Sequence, residues 1–499
     1  MISKSNFIIG QQCQRCFWYK YNGFEDISLK DNQAKQRLKD GEEVGRKVKD
    51  IFSEGVEIPY LEGNYLEMHK LTIEAIKAGS KVIYEGSFYV DDVFVRVDVM
   101  SKSSQGWDIF EVKSSSRLKS QHKEDASIQW FVLNQVKNIV LKDIYVITLN
   151  KFFKRKKDLD IEKVFTKHLL TKFVESNQLE VSETLINLKK TAEMESPPKD
   201  RSSGHDNKPH KCTLQEHCWP QGREENNSIF KLYRMRSKKK LAMHEEGIDT
   251  FEKIKNVSEF SQMQQIQINS TIKNKEYIDK AIIGDFISKV SYPISFFDFE
   301  TYSEPIPIFY DQKPNERIPF QYSLHIQKRL GDSVDCDGSH HEFLADPQDD
   351  PRHKIADSII KNIPKDGSII TYHQTFEKSV IKDLAEYCPK LSSQLLNLNE
   401  RILDLKDPFS KGGYYHPDFG GSFSIKKVLP AIFKNNKKLD YKNLNISDGG
   451  AASNTYRNLS HISGSELNQV QKDLLKYCWL DTYAMYAIYE ELLRIMNKV

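Results

Sequence analysis

Three separated stretches of this chain carry acids in patterns suited to hard cations. Phe296-Phe297-Asp298-Phe299-Glu300-Thr301 is an apolar strand with carboxylates at alternate positions, so Asp298 and Glu300 share a face. Thr371-Tyr372-His373-Gln374 leads from a strand to Glu377, and Tyr477 and Asp481 stand one helical turn apart in Tyr477-Cys478-Trp479-Leu480-Asp481. Burying such a set is costly without cations to offset the charge. A second set lies earlier, with Glu85 in Tyr84-Glu85-Gly86, Asp98 in Val97-Asp98-Val99, and Glu111 two residues before Lys113. Two carboxylates there can hold Mg²⁺ or Mn²⁺, while the lysine ammonium can position water or stabilise charge on a phosphate. That second set points to phosphodiester hydrolysis.

The elements that must position these groups are legible in part. Residues 35–52 have helical spacing that ends near Gly55, and Val82-Ile83-Tyr84, Val93 to Met100 and Trp107 to Val112 are β-rich runs between polar turns. A hairpin of these strands brings Asp98 toward Glu111 and Lys113. A helix is expected over roughly 125–142, with Ile128, Phe131, Val132, Val136, Ile139 and Val140 on its packed side and Asp125 and Gln129 on an adjoining face. From about 194 to 227 the chain is polar and rich in proline and glycine, which marks a boundary. Residues 228–290 read as a helical connector with a basic helix from Lys231 to Met243, followed by Gly247-Ile248. Its basic face fits either DNA-backbone contact or simple solvation. A new α/β domain begins near Tyr292 with the strand Ile294–Phe299, continues with a strand at Ser368–Tyr372, and closes on a helix over 467–495.

At 499 residues the chain exceeds the size of one core and divides into several domains. The reading is an α/β multidomain protein, with domains at 1–225, 226–290 and 291–499. The 73 basic and 70 acidic residues nearly cancel, so affinity for nucleic acid must come from local patches. No apolar stretch is long enough for a membrane span and the opening residues lack a signal-peptide core, so a cytoplasmic location is expected. Seven unevenly spaced cysteines do not make a disulfide framework. Cys13, Cys16, Cys212 and Cys218 form two pairs flanking the first half, whereas Cys336, Cys388 and Cys478 are scattered.

Asp98, Glu111-x-Lys113 and the helix with Gln129 resemble the PD-(D/E)xK nucleases of the RecB type, including the iron-sulfur nucleases of CRISPR adaptation. The resemblance implies a restriction-endonuclease-like fold in which Asp98 and Glu111 are metal ligands, Lys113 is the catalytic lysine and Gln129 supports the site. Glu85 is a further ligand candidate. Glu43, in Gly41-Glu42-Glu43-Val44-Gly45, resembles part of that family's first helix. In such nucleases early and late cysteines clamp the domain around a cluster. Cys13, Cys212 and Cys218 match that arrangement, and Asp206 stands where another cysteine is expected. Cys16, His205 or His210 are alternative donors to a 4Fe-4S cluster or to zinc.

Asp298, Glu300, Glu377, Tyr477 and Asp481, in that order, resemble the DEDD exonucleases, the DnaQ-like branch of the ribonuclease-H-like fold with tyrosine in the last motif. By that resemblance Asp298, Glu300, Glu377 and Asp481 bind two divalent ions about 3.5–4 Å apart, and Tyr477 orients the attacking water. Asp404 reads as a structural strand-end acid. The glycine-, aromatic- and lysine-containing stretch from Gly412 to Lys427 fits either a single-strand contact or a surface loop. The whole chain resembles a bacterial two-nuclease fusion family. The expected activity is a Mg²⁺- or Mn²⁺-dependent DNA exonuclease or processing enzyme of genome maintenance or defence, with a helicase or defence-system partner. The alternatives are a 3′ RNA exonuclease, or a nucleic-acid-binding scaffold with one or both sites inactive, to which the departures at Leu133, Asp206 and Glu377 lend support.

Overall fold

In the computed structural model, residues 1–24, 32–52, 54–199, 212, 214, 218, 222–335 and 338–497 are described. The chain forms two compact units of mixed α/β structure. The first comprises Met1–Trp219 and Glu304–Glu316, and the second Pro220–Ser303 and Arg317–Val499. The segment expected as a separate connector therefore groups with the second unit. Its backbone joins that unit's loops directly, Tyr277–Ile278 pairing with Tyr414–Tyr415 and Asp279 N–H donating to the Gly413 carbonyl at 2.8 Å. The segment Glu304–Glu316 groups with the first unit, where Asp311 and Gln312 exchange backbone hydrogen bonds with Arg155. Among the described residues no helix is long and apolar enough to cross a membrane.

In the first unit a seven-stranded sheet runs Val56–Glu57, Val82–Val90, Val93–Ser103, Gly106–Lys113, Leu141–Leu149 and Phe165–Leu169, with Ile2–Ser3 pairing beside Val93–Phe94. Val82–Val90 and Val93–Ser103 make a hairpin closed by Asp91 and Asp92, both left-handed (φ 48° and 60°), as a two-residue turn matched to strand twist requires. The neighbouring antiparallel pairing, Val99 opposite Phe110, sets Asp98 beside Glu111. The helix Ser120–Leu133 buries Ala126, Ile128, Val132 and Leu133 in the core. It ends nine residues earlier than its apolar spacing predicts. Asn138 is left-handed (φ 67°), Val140 is exposed, and the chain enters the strand Leu141–Leu149, which lies parallel to Gly106–Lys113.

The second unit is built on a five-stranded sheet ordered His340–Leu344, Arg317–Gln327, Ile294–Ser303, Ile369–Thr371, Ile402–Asp404. The first three are antiparallel and the last two run parallel to the Asp298 strand. Phe297 and Phe299 pack into the core with Tyr322, Leu324, Ile355 and Ile381. Each such aromatic contributes about 2 kcal/mol by leaving water. The alternate residue Phe296 instead meets Tyr486 and Tyr489 of the 34-residue helix Gly464–Asn497. Asp298 and Glu300 follow the alternation of Phe296, so the core packing that fixes the strand also aims both acids at that helix. The expected basic helix from Lys231 is shorter in the structure. A 3₁₀ turn covers Ile229–Lys231 and the helix is Ser237–Glu245, because Arg234 is left-handed (φ 50°) and Arg236 is extended.

Candidate metal centres

The first unit brings Asp98, Glu111, Lys113 and Gln129 together. Lys113 Nζ donates to Glu111 Oε1 at 2.7 Å and also to Asp125, and Gln129 Nε2 donates to Glu111 Oε2 at 2.5 Å. The backbone N–H of Val112 donates to Asp98 Oδ2 at 2.5 Å. A group absent from the sequence reading completes the cluster: Lys4, on the helix Lys4–Gln12, reaches Glu111 Oε1 at 2.6 Å. No spacing rule links residues 4 and 111; the parallel pairing of Ile2–Ser3 beside Val93–Phe94 and the packing of Phe7 and Ile8 in the core carry that helix to the site. Burial works to raise the Glu111 carboxyl, yet Lys113 and Lys4 outweigh it and hold it down to about 2. Burial and the neighbouring Glu111 charge push Asp98 up to about 7. Glu85 pairs with Arg96 at 3.1 Å and also feels the Glu111 charge. Glu43 lies on the helix Asn32–Lys49, and Leu133 is a core residue.

Cys13, Cys16, Cys212 and Cys218 gather in a small cluster with Ile9, Trp18, Tyr19 and Leu214. Cys16 N–H donates to Cys13 Sγ at 3.4 Å, the Cys16 and Cys212 thiols hydrogen-bond, and Arg15 hydrogen-bonds Cys218. The hydrogen bond with Cys212, with burial and the neighbouring cysteines, pushes the Cys16 thiol up, and burial pushes Cys218 up although Arg15 works against it, so metal binding would have to displace their protons; as thiolates the set fits zinc or an iron-sulfur cluster. The structure thus draws Cys16 into the cysteine set, whereas Asp206, His205 and His210 lie outside the described residues. Convergence tight enough for one ion, three ligand atoms within 4.8 Å, occurs among the described residues at Asp298, Glu300 and Asp481 and not at these cysteines.

Two members of that second-unit triad are buried, Glu300 8% and Asp481 7% exposed, and Asp298 is half-buried. Glu377, in the first turn of the helix Thr375–Tyr387, is 2% exposed, and its Oε2 has no hydrogen-bond partner. Burial, then mutual repulsion, pushes Asp298 and Glu300 well above the usual carboxylate range. Glu377 is pushed up to about 8, and Asp481 up to about 6 despite hydrogen bonds from Tyr441 and Tyr477. Tyr441 donates to Asp481 Oδ1 at 2.5 Å, and Cys478 Sγ lies 3.9 Å from Asp298 Oδ2. Lys426 is the cation that acts on Glu300 and Asp481, and it sits 5.5 and 5.4 Å from the Tyr441 and Tyr477 ring centres. An added Cβ on Gly449 would stand 3.3 Å from Glu300 Oε2. Sequence reading missed Tyr441, which sits in a single 3₁₀ turn, and Gly449, which opens the helix Gly449–Arg457. Asp404 accepts the backbone N–H groups of His373, Gln374 and Lys406 and so braces the turn into the Glu377 helix.

Residues 295–424 match the family described as a domain of unknown function, DUF2779. The match includes Asp298, Glu300 and Glu377 and stops short of Tyr441, Tyr477 and Asp481. Over 206 residues the chain is 30% identical to the uncharacterized protein MG366 of Mycoplasma genitalium, an alignment covering 39% of this chain and 31% of that one. Over 225 residues it is 27% identical to the uncharacterized protein UU173 of Ureaplasma parvum, covering 41% and 32% respectively. The chain thus spans about a third of the length of these relatives.

Proposed function

We propose that the second unit is a divalent-cation-dependent phosphodiesterase acting on nucleic-acid strands, DNA first, as an exonuclease of the DEDD, ribonuclease-H-like kind. One observation carries this reading: the carboxylates of half-buried Asp298 and buried Glu300 and Asp481 converge within 4.8 Å, with buried Glu377 acting on Asp298 and Glu300 and Lys426 as a nearby cation. Hard oxygen donors packed this closely suit Mg²⁺ or Mn²⁺. Asp298, Glu300 and Asp481 would hold the ions, with Glu377 beside them. When bound, such ions supply charge neutralisation and Lewis acidity toward a phosphodiester. Tyr477, its hydroxyl held well above its ordinary range by burial and the surrounding acids, stays protonated, donates to Asp481 and keeps its oxygen to accept from, and so orient, a water. Tyr441 donates to Asp481 Oδ1, so both phenols hold that carboxylate in place. Lys426 supplies a positive charge for a phosphate oxygen at the site's edge.

For the first unit we infer a second nuclease centre of PD-(D/E)xK type, with Asp98 and Glu111 as ligands and Lys113 stabilising charge on the scissile phosphate. The thiols of Cys13, Cys16, Cys212 and Cys218 are the donor set for a zinc ion or iron-sulfur cluster that ties the ends of this unit. A second reading has a specific basis here. Glu111 is already satisfied by Lys4, Lys113 and Gln129, so this cluster is stable without an ion and suits a nucleic-acid-binding scaffold.

Labelled single- and double-stranded DNA and RNA, incubated with Mn²⁺, decide between these. Asp298→Ala is expected to lower end-directed cleavage at least about 100-fold, a loss typical of removing transition-state charge stabilisation. Lys113→Ala should remove only cleavage belonging to the first unit, and no effect of that change selects the scaffold. A wild-type chain that cleaves none of the four substrates removes the nuclease reading altogether.

A further inference from the structure

We propose that the exposed basic run from Arg234 to Lys239 is a docking surface for the sugar-phosphate backbone of a single nucleic-acid strand whose end enters the Asp298–Glu300–Asp481 site. The proposal deepens the phosphodiesterase reading of that site and rests on it.

The first ground is unmatched charge. Arg234, Arg236, Lys238 and Lys239 are exposed, and among the described residues none forms an ion pair. Some surface lysines of the same unit are paired, Lys231 with Glu224 and Lys253 with Asp249 at 3.1 Å among them, and others such as Lys255, Lys273 and Lys437 form no ion pair among the described residues; the run is distinguished by gathering four cations without an ion pair within six residues. Four unpaired cations within six residues repel one another, and a polyanion relieves that repulsion by releasing its own counterions.

The second ground is position. Gln267 fixes the start of the run, donating to the Lys231 carbonyl and accepting from Tyr233 N–H, both at 2.8 Å. The Tyr233 ring packs edge-on to Phe423 with centres 5.0 Å apart. The Phe423 carbonyl accepts the Tyr372 hydroxyl at 2.8 Å. Tyr372 directly precedes the turn into the Glu377 helix, and Lys426 follows Phe423 by three residues, at most about 10 Å of chain. One packing step therefore links the basic run to both walls of the acidic site. Glu300, Glu377 and Asp481 are buried and Asp298 is half-buried, a recess better suited to a strand end than to the side of a duplex. Arg234 lies over the half-buried Tyr233 ring, 5.2 Å from its centre, so the run carries a guanidinium already paired with an aromatic ring, a combination suited to single strands.

The test is fluorescence anisotropy of a labelled 20-nucleotide oligothymidylate with the full chain in chelator, across a salt series. The variant is Arg234→Gln, Arg236→Gln, Lys238→Gln and Lys239→Gln combined, with its melting midpoint compared with wild type to certify folding. The expected result is at least tenfold weaker binding and a log–log salt slope smaller by about 3, four contacts at ~0.7 each for a single strand. Unchanged affinity and slope overturn the proposal. So does polyglutamate competing as well as the oligonucleotide, which assigns the surface to an acidic protein instead. Binding in chelator needs no hydrolysis, so a chain that binds through these residues but never cleaves keeps the surface and loses the phosphodiesterase reading.

Discussion

At the scale of single residues, the two acidic centres solve one problem in opposite ways. Glu111 meets two lysines, which hold its carboxyl down to about 2. Asp298, Glu300, Glu377 and Asp481 have Lys426 alone among them, and burial raises all four, Glu377 to about 8 and Asp481 to about 6. The consequence for stability has a definite sign. A carboxyl raised in the folded state keeps protons that the unfolded chain releases, so its stabilising effect is complete below the unfolded value and is lost as pH rises through the folded one. In chelator, the melting midpoint should therefore fall between about pH 5 and pH 8, the window set by Asp481 and Glu377 against ordinary carboxyl values near ~4. Asp298→Asn removes one charge from the repelling set, so it should flatten that fall and leave the variant about 1–2 kcal/mol more stable than wild type near pH 8. Calorimetry of both proteins at three pH values checks this. A midpoint that climbs across the window, or a variant weaker than wild type at the alkaline end, would remove the charge-repulsion account.

At the scale of elements, the loop from Gly420 to Ser424 joins the 220–290 segment to the acidic site. Gly421 has φ +74°, and an added Cβ there would lie 2.0 Å from the Lys231 carbonyl oxygen, so only glycine fits. Gly421→Ala should cost about 2–3 kcal/mol from the strained backbone and the displaced carbonyl. Denaturant unfolding measures that cost, and a loss under ~0.5 kcal/mol would mean the loop does not bear on the segment. Such an approach is invisible in sequence, where the same residues read equally as a mobile loop. The alternation in Phe296–Glu300 and the helical spacing of Tyr477 and Asp481 were legible because period alone fixes which side chains share a face. The early end of the helix at Leu133 was not, since apolar spacing continues by chance past the Asn134 cap, through a turn and into a strand. Lys4 and Tyr441 were hidden for a further reason: each reaches its acid through tertiary packing, 107 and 40 residues away along the chain.

At the scale of the whole molecule, two compact units with differently charged centres should answer differently to the same ion. A ligand that binds only the folded state stabilises it by RT ln(1 + [L]/Kd), about 2.7 kcal/mol at a hundredfold excess over Kd. In units of roughly 200 residues or more, each kcal/mol moves the midpoint by about 2–4 °C, so Mn²⁺ should lift the transition of the second unit by about 5–10 °C. The first unit's acids already face Lys4 and Lys113, and an ion must displace those contacts before it gains Glu111, so its transition should move by less than half as much. Scanning calorimetry with and without Mn²⁺ separates the two, and Asp298→Ala identifies which transition is which by removing the larger shift. Lys4→Ala then provides the converse: with one competing cation gone, the smaller shift should grow, although the metal-free first unit loses about 1–3 kcal/mol of ion-pair stability. Equal shifts of both transitions in wild type would show that the lysines do not substitute for an ion, and the difference drawn between the two centres would have to be given up.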